Sequence, residues 1–296
     1  MKICVLGTNG FLSSAIGRYA NRKKWELCMY GLSSPTSHAY ETYFEINLKD
    51  TELDCSHLVD YDIIIYAIGA GIQANLNEDC NLIYRLNVAV PVEICNNLRA
   101  LDYKGCFVTF GSYFEMGETL IDRPFTEAEV LSSISPAPND YSVSKRMISK
   151  YVSSYNHGFT HWHFIIPTIY GAGENPKRLI PYVVNAIRNN EELHFTAGDQ
   201  IRQYIHIDEI PRIIELSFIN KLSSGIYNIS GLETLSVKEI VTLVHEIMGK
   251  KVPENCFGTV ERSDTGMKYL ALDGSRLWEE IGFKPTISIT DTLMTY

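Results

Sequence analysis

This sequence of 296 residues predicts an α/β protein, a doubly wound parallel sheet followed by a smaller α+β C-terminal domain. Three observations predict it. A short apolar run opens the chain and passes through a glycine-bearing turn into a helical pattern, over residues 2–20. Apolar runs of strand length then alternate with helical periods as far as residue 170, the order that covers both faces of a parallel sheet. From residue 171 the elements shorten, and Gly, Asn and Pro gather in the loop 173–176. That change of texture marks the second domain.

Residues 2–7 form the first strand, Gly7-Thr8-Asn9-Gly10-Phe11-Leu12 the turn, and residues 15–20 carry helical spacing. Strand, glycine turn and helix aim backbone N–H groups and the positive end of a dipole at one point, which suits a pyrophosphate. A plain β–α turn would use the same glycines for geometry alone. The pattern is G-x-x-G-x-x-S, with Ser13 where glycine or alanine is commoner. Residues 26–31 are the second strand. No Asp or Glu ends it to hold a ribose 2′-hydroxyl, and Ser33 and Ser34 follow as hydroxyl donors. The reading is therefore an NADP site, with NAD as the alternative. Arg22, Lys23 and Lys24 read as a solvated helix end.

Residues 43–48 are the third strand, and its end, Asn47-Leu48, is expected beside an adenine ring. Residues 62–71 are the fourth, and the small residues around Ala67-Ile68-Gly69 let a cofactor approach. Leu82, Ile83, Leu86, Val90, Ile94 and Leu98 carry a helical period with Pro91 inside it. The proline predicts a kink there, or one helix ending and another beginning. Asn87 lies just before it.

Residues 106–112 are the fifth strand and deliver Ser112 at its carboxyl end, where open parallel sheets bind ligands. A long loop with Pro124, Pro136 and Pro138 then faces substrate. On a helix from Tyr141 to about Asn156, Tyr141 and Lys145 lie one turn apart on one face. A phenol beside a fixed ammonium is expected to have a lowered pKa and to exchange protons. With Ser112 holding a carbonyl oxygen, the three read as a hydride-transfer site. Residues 161–166 are the sixth strand and run into Pro167-Thr168. One later segment is expected to return to the sheet. The large domain is thus 1–170 plus about 204–221, and the substrate domain 171–203 and 222–296.

The formal charge of −9 weighs against nucleic acid or an anionic membrane as partner. Seven scattered cysteines without a CxxC pair read as reduced thiols packed as small hydrophobes, and no metal-ligand set is expected. No apolar stretch approaches the roughly 18–20 residues that span a bilayer. A cytoplasmic protein is expected.

Gly7-x-x-Gly10, Ser112 and Tyr141-x-x-x-Lys145 together resemble the extended short-chain dehydrogenase/reductase family. That group contains nucleotide-sugar epimerases, dehydratases and 4-ketoreductases. Residues 201–209, with Arg202, Tyr204, His206 and Asp208, resemble its R-D-(Y/F)-I-H-V-x-D segment. Residues 225–231 and 273–285 resemble its later strand and C-terminal signature, so the likeness spans the chain. It implies a Rossmann domain, Tyr141 as acid/base, Lys145 on the nicotinamide ribose and Ser112 on the reacting oxygen. Its cofactor contacts fall on Gly7, Asn9, Gly10, Phe11, Leu12, Ser33, Ser34, Asn47, Leu48, Ala67, Ile68, Gly69, Asn87, Tyr141, Lys145 and Pro167. Its substrate contacts fall on Ser112, Tyr113, Thr168 and Arg202, with Arg202 on a diphosphate.

Departures narrow the implied reaction. The 4,6-dehydratases follow the residue matching Ser112 with Asp-Glu, and the fucose-synthase type has Cys two positions on. Tyr113 and Phe114 stand there instead. Ile165 and Thr168 occupy positions where Arg and Asn are common. What is left is an NADPH-dependent reductase of a nucleotide-linked 4-keto-6-deoxy sugar. The alternatives are an NAD-dependent 4-epimerase and a non-catalytic NADP-sensing protein. A homodimer is expected.

Overall fold

A computed structural model describes residues 1–72, 78–261 and 267–296. Seven parallel strands form the large sheet: β1 (Lys2–Leu6), β2 (Glu26–Gly31), β3 (Thr42–Glu45), β4 (Ile63–Tyr66), β5 (Cys106–Ser112), β6 (Thr160–Ile166) and β9 (Gly225–Asn228). Their spatial order is β3-β2-β1-β4-β5-β6-β9, so the winding reverses between β1 and β4. A cleft opens beyond the carboxyl ends at such a switch point.

Alternation along each strand builds two apolar layers. Ile3, Val5, Leu27, Met29, Ile63, Ile65, Val108 and Phe110 face one way. They pack on α1 (Phe11–Lys23), α7 (Glu209–Ile219) and α9 (Ser275–Ile281). Cys4, Leu6, Cys28, Ile64, Tyr66 and Phe107 face the other way, against α3 (Val90–Ala100). Each isoleucine here is wholly buried and contributes about 2 kcal/mol by transfer from water. All seven cysteines are free, and only Cys80 is exposed.

The helix before β5 is neither simply kinked nor simply split. α2 (Cys80–Tyr84) passes into a π-helical turn over Arg85–Ala89, and α3 follows with Pro91 in its first turn. Pro91 has no N–H for the carbonyl four residues back, and its ring crowds that turn. The wider π turn takes up the misfit and directs Asn87 inward.

The loop before Tyr141 holds a helix that its prolines concealed, α4 (Glu127–Ser132). Thr126 and Glu129 cap it reciprocally. α5 (Asp140–Ser154) follows, capped by Asn139.

The second sheet centres on β8 (Ile201–His206), which pairs with β7 (Thr168–Tyr170), β10 (Glu233–Ser236) and β11 (Tyr269–Leu270). Beside it α6 (Leu179–Asn189) and α8 (Val237–Ile247) close a separate apolar cluster with α10 (Ile289–Thr292). The expected boundaries need correction here. Residues 204–206 belong to the small sheet, because β8 continues through them. The returning segment runs instead from α7 through β9, which adds to the edge of β6. Likewise β3 stops at Glu45, so Asn47 and Leu48 lie in the turn beyond it. Among the described residues no helix is long and apolar enough to cross a membrane.

Candidate active site

Ser112 ends β5 and caps the 3-10 turn Tyr113–Met116. Its backbone N–H donates to Glu115 Oε1 at 2.7 Å, and its Oγ accepts from Phe114 N at 3.3 Å. α5 lies over β5 and β6 with Ser142, Ser144, Lys145, Ile148, Ser149 and Val152 buried beneath it. The serines let the helix approach closely. Tyr141 sits in its first turn, where Gly71 packs against it: a Cβ on Gly71 would meet Tyr141 Cβ at 3.2 Å. Lys145, one turn on, is buried and donates from Nζ to Phe110 O at 2.8 Å. The structure thus brings Ser112, Tyr141 and Lys145 together at the carboxyl end of β5.

Their electrostatics differ from expectation. The Tyr141 phenol is pushed up to about 12, chiefly by burial, with Ser112's hydrogen bond pulling down and Glu115's charge pushing up. The lowered phenol pKa expected from Lys145 is not found. The ammonium lies 5.8 Å from the ring centroid and is committed to the Phe110 carbonyl, so burial wins. Lys145 itself is pushed down to about 8 by burial, against the opposing pull of Glu115. At neutral pH Tyr141 holds its proton and is an acid.

Two charged groups of the site were missed from sequence. Glu115 is 1% exposed, its carboxyl pushed up to about 7 by burial despite hydrogen bonds from Ser149 and Ser112 N–H. The spacing Ser112-x-x-Glu115 is a capping-box signature and could have revealed it. Arg178, just before α6, lowers the Tyr113 and Tyr141 phenols and pairs with Glu174 at 2.6 Å. No local pattern marks it.

Glu115 yields a pH prediction. Its folded pKa lies above the ordinary 4.5, so its contribution is complete below pH 4.5 and is lost as pH rises through 7. Relative to Glu115→Gln, the wild type is expected to lose on the order of 3 kcal/mol between pH 4.5 and 7, measured by urea unfolding. Lys145 titrates above this window.

The dinucleotide positions also assemble. Gly7 has φ +112°, and a Cβ there would meet Ala67 O and Ile68 Cγ1 at 3.2 Å. Gly10 caps α1 with no side chain on the first N–H groups, and no acid stands in that first turn. A diphosphate fits this end on charge and on space. Phe11 and Leu12 begin α1 and are half-buried. Asn9 donates to Ser33 Oγ and to Ser34 O, each at 3.0 Å, fastening the turn to the loop after β2. Arg22 and Lys23 turn instead to Asp208 and Glu215. Ala67, Ile68 and Gly69 follow β4 at the same edge. Asn47 is exposed and turns its amide to Asp50, while Leu48 is buried in the core. Asn87, 2% exposed, bonds Ala70 N, Ala70 O and Ser144 Oγ, each at 2.9 Å. It locks the β4 loop to α5.

Pro167, the last of the expected cofactor positions, is buried between β6 and β7, and the expected substrate positions lie around it. Tyr113 is buried and its hydroxyl meets Thr168 Oγ1 at 2.5 Å. Arg202 is 9% exposed and donates to its own neighbour's carbonyl, Ile201 O, at 2.8 Å. Its charge reaches Tyr113 and Tyr204.

Residues 3–230 match the sequence model of the NAD dependent epimerase/dehydratase family. The chain belongs to that family. Within it, the chain is 24% identical to a CDP-abequose synthase of Yersinia pseudotuberculosis, over 83% of this chain and 84% of that one. It is 31% identical to a dTDP-glucose 4,6-dehydratase of Streptomyces griseus, but over 42% of this chain and only 38% of that enzyme's length. In three dimensions it is similar to the dTDP-glucose 4,6-dehydratase DesIV of Streptomyces venezuelae, solved with NAD. There the TM-score is 0.82 at 19% identity, covering 100% of this chain and 95% of that one. At that identity the likeness is one of fold.

Proposed function

We propose that the chain reduces a nucleotide-linked 4-keto-6-deoxy sugar with NADPH. The observation that carries this is the set Ser112, Tyr141 and Lys145 at the end of β5, with Tyr113 and Phe114 following Ser112. Tyr113 is bonded to Thr168 and Phe114 is apolar, so neither offers the acid, base or thiol that dehydration or ring epimerisation needs. Glu115 is a carboxyl, but it is buried behind the strand and held on Ser112 N–H. A protonated Tyr141 suits net reduction, where a proton must be given to an oxygen. The likeness to a CDP-abequose synthase, over 83% of this chain and 84% of that one, favours the same reading.

NADP(H) would be held by Gly7, Gly10 and Asn9 at the turn, by Ser33 and Ser34 at the adenosine end, and by Lys145 and the Asn87-braced loop at the nicotinamide end. When bound, it supplies the hydride. Ser112 orients the carbonyl oxygen, and Tyr141 gives that oxygen its proton. Lys145, fixed by Phe110 O, keeps a positive charge beside the phenolate that forms. Leu32, Ser33 and Ser34, directly after β2, offer hydroxyls and no carboxylate, which supports NADPH over NAD.

Arg202 would meet the substrate diphosphate, as the family resemblance implies, and Arg178 adds a second positive charge near Tyr113. Arg202→Met is expected to raise KM for the nucleotide sugar by about 10- to 100-fold with little change in kcat, the loss of one charged hydrogen-bonding group. The test of the function is a panel of nucleotide-linked 4-keto sugars with NADPH, followed by nicotinamide absorbance. Net oxidation with one member supports the reading. A tightly held nicotinamide with epimer formation and no net NADPH loss would make the chain a 4-epimerase.

A further inference from the structure

Behind the reacting face runs a continuous chain of buried polar side chains. Glu115 feels the Ser149 hydroxyl, which pulls its carboxyl pKa down, and Glu115 Oε1 and His163 Nε2 both border Gly111, at 2.5 and 2.7 Å from where a Cβ would stand. Ser149 Oγ lies 2.8 Å from His163 Nε2, and His163 Nδ1 lies 2.7 Å from Thr109 Oγ1. Thr109 Oγ1 is also 2.9 Å from His161 Nε2, and His161 Nδ1 is 3.9 Å from Cys95 Sγ. All six are at most 3% exposed. The chain crosses from α5 to β6, to β5 and back to β6, spanning the sheet's interior from its carboxyl end towards its amino end.

The hydrogen-bond directions follow by counting. With Glu115 ionised, Ser149 must donate to it and so accept from His163 Nε2–H. His163 Nδ1 then accepts from Thr109, which accepts from His161 Nε2–H. That leaves His161 Nδ1 as an acceptor facing Cys95. Every member is satisfied in this polarity, and every member is satisfied when all directions reverse. The two polarities differ by one proton: it arrives on His161 Nδ1, each member passes one on, and the last rests on Glu115. Both histidines are held neutral by burial, as the count requires.

The outer end is covered by the buried His157. His157 lies against His161 with ring centroids 4.7 Å apart, and the reactive atoms of Cys95, His157 and His161 fall within 4.8 Å of one another. Both ring nitrogens of His157 are buried, and the ring is turned to the Val152 backbone carbonyl. The flanking Asn156 and Gly158 are exposed. At the inner end Glu115 faces Ser112 N–H, Lys145 and Arg146 of α5, His163 of β6 and, more distantly, Tyr141.

We propose that Ser149, His163, Thr109 and His161 form a proton path by which Glu115 gains and loses a proton while the site works. Glu115 is a positioning residue. When Tyr141 gives its proton to the substrate oxygen, uptake of a proton by Glu115 along the path offsets the new negative charge; once solvent has returned a proton to the Tyr141 phenolate, Glu115 releases its own back along the same path. This use rests on the reductase reading, whereas the path itself does not.

The test is infrared titration of the full-length protein with NADP(H) bound, following the carboxylic C=O band. The band is expected to titrate around pH 7 and to be absent in Glu115→Gln. After a pH jump, protonation of Glu115 is expected to slow by roughly tenfold or more in Thr109→Val and in Ser149→Ala, each of which removes one carrier. Equal rates in wild type and both variants, or a band that never titrates, would overturn the path. If wild type turns over, Thr109→Val is expected to lower kcat at constant KM and to enlarge the solvent isotope effect. An unchanged kcat would remove the path from the reaction. A wild type inert to every 4-keto sugar would count against the reductase reading alone and leave the infrared result standing.

Discussion

Tyr141→Phe is expected to lower kcat by about 100- to 10,000-fold, the span of a lost general acid, while KM and the melting temperature stay close to wild type. The ring fills the same space, since Gly71 packs on its Cβ and the phenol hydroxyl is turned to Ser112. Lys145 keeps its bond to Phe110 O, so the helix face is not disturbed. Steady-state kinetics on the accepted sugar check this. A variant that kept wild-type turnover would remove Tyr141 from the chemistry and leave the rest of the site without a proton donor.

Asn87→Leu is expected to be the most damaging single change outside the catalytic set. It strips partners from Ala70 N, Ala70 O and Ser144 Oγ, all in a buried setting. Unsatisfied groups there cost about 1–3 kcal/mol each, so a loss on the order of 4 kcal/mol in urea unfolding is expected. The β4 loop would also be freed from α5, so NADPH affinity should fall in parallel, by calorimetry. Full stability with lost binding would mean that Asn87 serves the ligand directly and does not brace the fold.

The parts legible in sequence were those written in local patterns. The run 106–112 is mostly apolar, buried at every position, and ends in Gly111-Ser112, so both β5 and the place of Ser112 at its carboxyl end could be read. Tyr141 and Lys145 followed from helical spacing, and the Gly7 turn from its place after the first strand. The illegible parts depend on tertiary context. A π turn keeps almost the same apolar period as an α-helix, so only Pro91 hinted at the direction of Asn87. The phenol pKa of Tyr141 turned on burial, which spacing alone does not disclose. β9 is a four-residue strand whose place at the edge of β6 depends on a partner more than 60 residues away. Glu115 has a legible signal in its capping box with Ser112, but its burial at the site depends on α5 packing over it.

Transfer of deuterium from NADPH labelled at C4 tests the central claim most directly. A nucleotide-linked 4-keto-6-deoxy sugar is expected to be converted with one NADPH oxidised per product and one deuterium placed at C4 of the sugar. A product without deuterium, formed with no net NADPH oxidation by a chain that retains its own nicotinamide, would contradict it.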